Sequence, residues 1–69
     1  MDAHQERVVE ERNQLRERLN KLGMFMASTS FGTLDMHERD RVRRQQAVMG
    51  EYLAILEARI THFMATGET

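Results

Sequence analysis

The feature that most constrains the fold is one short break, "STSFGT", in a chain without proline. The stretches on either side of it are rich in Glu, Arg, Gln, Leu and Met, which are good helix formers. Two long helices joined by so short a connection must fold back on each other. We therefore predict an all-α antiparallel two-helix hairpin in a single domain of residues 1–69, with a helix at about 3–26, a turn at 27–34 and a longer helix at about 35–66.

The apolar residues of the first segment lie on one helical face. Their steps of seven, four, three and four residues match the period of an α-helix, and they are Val8, Leu15, Leu19, Leu22 and Met26. The second segment should begin at Asp35, which is a good N-cap, and Glu38 three residues later resembles a capping box.

The second predicted helix is apolar on more than one side. One stripe contains Val42, Met49, Tyr52, Leu56, either Ile60 or Arg59, and Phe63, and the other contains Val48, Leu53, Ile55 and Met64. One partner helix cannot cover both stripes. If the chain reversed near Ser30, residue 3 would lie beside about residue 58, and Ile60, Phe63 and Met64 would extend beyond the first helix.

Chain length points to self-association. A domain of 69 residues buries only about 60% of the surface of its unfolded chain and is marginal alone, and without cysteine it cannot add a disulfide. We therefore predict that the hairpins assemble into a helical-bundle homo-oligomer. The predicted interface consists of Leu53, Ile55, Leu56, Ile60, Phe63 and Met64.

Charge and composition argue against several classes of protein. The net charge of −1 makes general nucleic-acid binding unlikely. There is no apolar run of about 20 residues for a membrane span, and the first residues do not resemble a signal peptide. We expect a cytoplasmic protein, in the host cell cytoplasm if a phage encodes it. His4, His37 and His62 are too far apart for a local metal motif, and we expect neither a metal nor a cofactor.

Catalysis is not expected. Ser28, Ser30 and Thr33 could act as nucleophiles with His37 as a base, but no oxyanion-hole loop or nucleophile elbow accompanies them. We predict that the protein is not an enzyme.

The break has two interpretations. It can be only the corner of the hairpin, with Phe31 as an apolar plug. It can also bind an anion, since its hydroxyls can donate hydrogen bonds and it leads into a helix N-terminus. The arginines that follow can be a solvated face balanced by acids or phosphate ligands, and Tyr52 can be a core residue or stack on a base. The predicted ligand-binding residues are Ser28, Ser30, Phe31, Thr33, Arg39, Arg43 and Tyr52.

Most of the chain resembles a known family. The motifs "L..RL.KL..FM.S..F..LD" and "Q..VM..Y..IL..RI", within about residues 6 to 60, resemble very short tailed-phage proteins related to a crAss-phage reading frame. That resemblance implies a phage or prophage accessory gene and transfers no catalytic residue. In size and form the chain is also similar to phage sponge proteins, which are helical hairpins that sequester the cyclic nucleotides of host defence systems.

Together these observations favour a non-enzymatic counter-defence protein that sequesters a nucleotide second messenger in a homo-oligomer. Its partners would be other copies of itself and a cyclic nucleotide. The alternative is an inhibitor or assembly adaptor that binds a host defence protein through the apolar C-terminal half of the second helix, without a small ligand.

Overall fold

The computed structural model describes residues 1–66 and contains two long helices joined through a short one. Helix α1 spans Ala3–Met26, α2 spans Thr29–Gly32 and α3 spans Met36–Ala65. Helix α1 runs antiparallel along α3 in a body of 48 × 15 × 14 Å. The all-α hairpin predicted from the sequence is confirmed. Residues 67–69 of the predicted domain lie outside the described residues.

Both long helices begin at an aspartate cap. Asp2 Oδ1 accepts from the Gln5 N–H at 2.8 Å and Gln5 Oε1 accepts from the Asp2 N–H at 3.3 Å, which completes a capping box. Asp35 Oδ1 accepts from the Glu38 N–H at 3.0 Å. The Glu38 carboxylate instead accepts from Arg41 Nε at 2.8 Å, so only half of the capping box predicted at Asp35 forms.

The core is one apolar seam between α1 and α3. The four buried residues at its centre are Val8, Leu15, Leu56 and Phe63, and the partly buried Val9, Met49, Leu53 and Ile60 pack against them. Leu56 is completely buried. The seam residues of α3 recur every three or four positions, so a single face of that helix meets α1.

Two geometric expectations from the sequence are wrong. Ile60 and Phe63 do not extend beyond α1, because both pack in the cluster that contains Val8, whereas Met64 is exposed. The segment between Met26 and Met36 contains the short helix α2 and is not a simple reverse turn. It therefore changes the register of α1 against α3 along the helix axes. The stripes assigned to Tyr52 and Leu53 are also reversed. Leu53 packs against the core with Leu56 and Phe63, and Tyr52 is exposed.

Within residues 1–66, neither long helix carries an apolar stretch of the length that crossing a bilayer would require.

Candidate functional site

The corner of the hairpin uses its hydroxyl groups to cap its own backbone. Ser28 Oγ donates to the Phe25 carbonyl at 2.6 Å and accepts from the Phe31 N–H at 3.4 Å. Thr33 Oγ1 donates to the Ser30 carbonyl at 2.7 Å. Ser30 is exposed. Two of the three hydroxyls predicted to bind an anion therefore stabilise the short helix α2.

Two of the predicted arginines do reach this corner. Arg39 Nη1 donates to the Gly32 carbonyl at 3.1 Å, and the Arg43 guanidinium lies 5.4 Å from the centre of the Phe31 ring. Phe31 is buried and meets Phe25 edge-on at 5.9 Å between ring centres. Arg43 Nη1 also donates to Asp40 Oδ1 at 3.1 Å. The arginines thus hold the corner together by bonds within the chain.

A third arginine of this segment is paired as well. Arg41 forms an ion pair with Glu38, and the hydrogen bond to that carboxylate, together with its negative charge, raises the pKa of Arg41 above its usual value. Since the Arg41 side chain is 69% exposed, this pair adds little to stability. It does offset part of the positive charge that a phosphate would meet here.

The residues predicted to form an oligomer interface divide into two groups. Leu56 and Phe63 are buried in the core, and Leu53 and Ile60 pack against it. Ile55 and Met64 are exposed, at 58% and 59%. Only these last two present most of their side chains to a partner, and the interface itself stays a prediction.

A groove lies at the opposite end of the hairpin from the corner. It forms where the first turn of α1 meets the last three turns of α3, and its volume is about 520 Å³. This volume is within the usual range for ligand sites. The residues that line it are Asp2, His4, Gln5, Ile55, Ala58, Arg59, His62 and Phe63.

The groove combines apolar walls with hydrogen-bond donors. Ile55 and Phe63 supply apolar surface, Arg59 supplies a guanidinium, and His4 and His62 supply imidazole N–H groups from two different helices. A few polar groups on an otherwise apolar lining are typical of small-molecule sites. The Asp2 carboxylate also lies here, where it accepts the Gln5 N–H that caps α1.

Sequence reasoning did not identify Arg59 and His62 as site residues. The available signal was that both interrupt an apolar helix at positions one turn apart. The contribution of His4 depends on tertiary structure, because it comes from the other end of the chain.

Tyr52 lies away from the corner residues with which it was predicted to bind a ligand. It is 41% exposed on the outer side of α3 and lies nine residues beyond Arg43, about 13 Å along the helix. Tyr52 and the groove residue Ile55 are separated by one turn of the same helix.

Among residues 1–66, no three His, Asp or Glu side chains gather in a way that could hold a metal ion.

Comparison with known proteins gives a family and a relative. Residues 2–62 match the model of a family described as Sequestin. The chain is 38% identical over 63 residues to an uncharacterized 7.5 kDa protein from the denB-rIIB intergenic region of Enterobacteria phage T4, a match that covers 91% of this chain and 98% of that protein. No solved structure matches.

Proposed function

Since the chain belongs to the Sequestin family, we propose that it acts without catalysis, by holding a nucleotide second messenger of host defence in a homo-oligomer. The family name denotes sequestration, and the T4 relative supports a role as a short phage accessory protein. The kinship with relatives of a crAss-phage reading frame stays a prediction.

The observation that carries the proposal is the groove at the open end of the hairpin. A nucleotide carries a charged phosphate and a flat aromatic base whose faces can stack on apolar surface. Arg59 and His4 can donate to phosphate oxygens, and the guanidinium fork suits them. Phe63 offers the base an apolar surface. The groove therefore has one partner for each half of such a ligand.

The corner supports the same ligand less well. Arg39 and Arg43 already bond within the chain, and the hydroxyls of Ser28 and Thr33 are used in caps. A phosphate there would have to break these bonds or share them. We therefore place the proposed site in the groove and retain the corner as the competing location.

A thermal-shift panel tests the proposal. Cyclic dinucleotides and cyclic ADP-ribose isomers are added to the purified protein one at a time. A ligand present at 100 times its Kd stabilises the folded state by about 2.7 kcal/mol. For a domain of this size, that energy raises Tm by on the order of 10 °C. If no compound of the panel shifts Tm at millimolar concentration, the proposal fails.

Matched variants locate the site. Arg59→Gln should abolish the shift if the ligand lies in the groove. Arg41→Gln removes an equal charge at the far end of α3 and should leave the shift unchanged. A shift that survives Arg59→Gln but disappears in the double variant Arg39→Gln/Arg43→Gln would move the site to the corner.

Native mass spectrometry of protein purified from infected, defence-active cells complements the panel. It measures the copy number and the mass of any retained ligand in the same spectrum. An added mass equal to that of a nucleotide, absent from the Arg59→Gln variant, is the expected result.

A second candidate function is inhibition of a host protein. The observation in its favour is the exposed apolar side of α3, where Val48 and Ile55 are more than half exposed. This function predicts that a host protein co-purifies with the wild-type chain and is lost from Ile55→Glu, while the nucleotide panel gives no shift.

A further inference from the structure

The outer side of α3 carries two parallel rows of residues that differ in size and charge. Val48, Ile55 and His62 are seven residues apart, so they lie one above another on the helix. The adjacent row, also at intervals of seven, is Glu51, Ala58 and Ala65. All six residues are exposed. One row is therefore large and the other is small or acidic.

These rows fit each other when two copies of α3 run antiparallel. Val48 then faces the partner's Ala65, Ile55 faces the partner's Ala58, and His62 faces the partner's Glu51. Each large residue meets a small one, and the carboxylate meets an imidazole. Because the relation is two-fold, every contact occurs twice, as in an isologous dimer.

Other arrangements are less favourable. A parallel pair would place Glu51 on Glu51, and facing like charges are destabilising. An antiparallel pair shifted by one heptad would press Ile55 against the partner's Glu51 and bury an acid on an apolar side chain.

Among residues 1–66, the charges on this side of α3 have no partner. In residues 1–66, the ion pairs at Arg16–Glu57, Lys21–Glu17, Arg41–Glu38 and Arg43–Asp40 involve neither Glu51 nor Arg59. The residues one turn away from Glu51 are alanine, valine and isoleucine. Charged groups set in an apolar stripe are typical of surfaces that fix the register of a partner helix.

We propose that two chains pair through the outer sides of α3 and that each groove is completed by the partner's Tyr52. The pairing covers the groove residues Ile55, Ala58 and His62 and leaves Arg59, His4 and Phe63 to contact a ligand. Tyr52 and Arg59 are seven residues apart and flank the rows on the same side. In the antiparallel pair, the partner's Tyr52 lies within about 3 Å of the level of Arg59 along the helix. Its ring would close the mouth of the groove, where it can stack on a base.

This second part of the proposal rests on the proposed function, whereas the pairing does not. The pairing is therefore tested without ligand, by disulfide cross-linking. The chain has no native cysteine. A mixture of Val48→Cys and Ala65→Cys chains should form disulfide-linked heterodimers. Val48→Cys alone should not cross-link, because the two copies of that residue would be about 25 Å apart along the axis. Efficient cross-linking of Val48→Cys alone, or none in the mixture, overturns the pairing.

A matched pair of charge substitutions tests the same surface in solution. Ile55 and Met64 are almost equally exposed, at 58% and 59%, but they point to different sides of α3. Ile55→Glu should halve the mass measured by light scattering, and Met64→Glu should leave it unchanged, with helical circular dichroism retained in both. A monomeric wild-type chain, or equal effects of the two variants, refutes the pairing and leaves this side of α3 to a foreign partner.

Mixed dimers test whether the site is shared. Tyr52→Ala should weaken nucleotide binding about tenfold through lost stacking, and Arg59→Gln should abolish it, with the dimer mass unchanged in both. When the two variant chains are mixed, each heterodimer regains one intact site, built from Arg59 of one chain and Tyr52 of the other. About a quarter of the wild-type binding capacity should return. No recovery, in a mixture confirmed to contain heterodimers, would mean that both residues act within one chain. If wild-type protein binds no nucleotide, the proposed function and the shared site both fail, and the cross-linking result stands separately.

Discussion

Two adjacent residues, Ile55 and Leu56, provide the sharpest test of which face of α3 is buried and which is exposed. Leu56 is completely buried and Ile55 is 58% exposed. Truncating a fully buried leucine to alanine costs about 3–4 kcal/mol, through lost burial and a residual cavity. A chain of this length has a total stability of about 3–10 kcal/mol. We therefore expect Leu56→Ala to remove a third or more of the stability and to lower Tm by about 15 °C.

Ile55→Ala should behave differently. In the monomer it removes little burial and replaces a β-branched residue with the best helix former, so the effect should stay within about 0.5 kcal/mol. If α3 pairs with a second copy, the same change weakens the dimer, and its cost should grow with protein concentration.

Urea unfolding of both variants, followed by circular dichroism at two protein concentrations a hundredfold apart, measures these effects. If Ile55→Ala costs as much as Leu56→Ala at the lower concentration, the two residues do not lie on differently buried faces. If Leu56→Ala costs less than about 1 kcal/mol, the seam between α1 and α3 is not the core.

Two further predictions concern local interactions. Asp2→Ala removes the side-chain acceptor that caps α1 and should cost about 1 kcal/mol in urea unfolding, while Asp2→Asn should restore most of it; equal losses in both variants would contradict the capping role. A double-mutant cycle on Arg16 and Glu57, which are joined at 3.0 Å but about half exposed, should give a coupling below about 1 kcal/mol that falls with added salt; a salt-independent coupling above 2 kcal/mol would show that the pair is desolvated.

The helices could be predicted from the sequence because local chemistry determines them. Good helix formers and an apolar stripe of helical period lead to α1, and the cap at Asp35 marks the start of α3. The capping box at Asp2 and Gln5 was missed, although the spacing of an acid and a glutamine three residues apart is visible in the sequence.

The register of α1 against α3 could not be predicted in the same way. Apolar residues spaced by three and four repeat every heptad, so the pattern is compatible with several axial registers of one helix against the other. The choice depends on how residues 27–35 fold. Tyr52 and Leu53 were assigned to the wrong stripes for a related reason. Adjacent residues differ by about 100° around the helix, and both of these residues are apolar enough to fit the core face.

The groove could not be predicted from spacing because its two sides come from opposite ends of the chain. His4 and Arg59 are 55 positions apart, and only the antiparallel seam brings them to one cavity. The corner was predicted to be a ligand site because its hydroxyls and arginines are close together along the chain. In the structure these side chains donate instead to nearby backbone carbonyls, which leaves fewer free donors there.

A ligand site at the edge of a helix pair has a consequence for assembly. The groove alone is open to solvent, and the proposed pairing encloses it with the partner's Tyr52. A nucleotide that contacts both chains binds the dimer more tightly than the monomer, and linkage requires that it strengthen the dimer by the same factor. Sequestration and assembly would then reinforce each other. Dilution in the presence of nucleotide should shift the dimer–monomer midpoint to lower protein concentration, and an unchanged midpoint would place the ligand within a single chain.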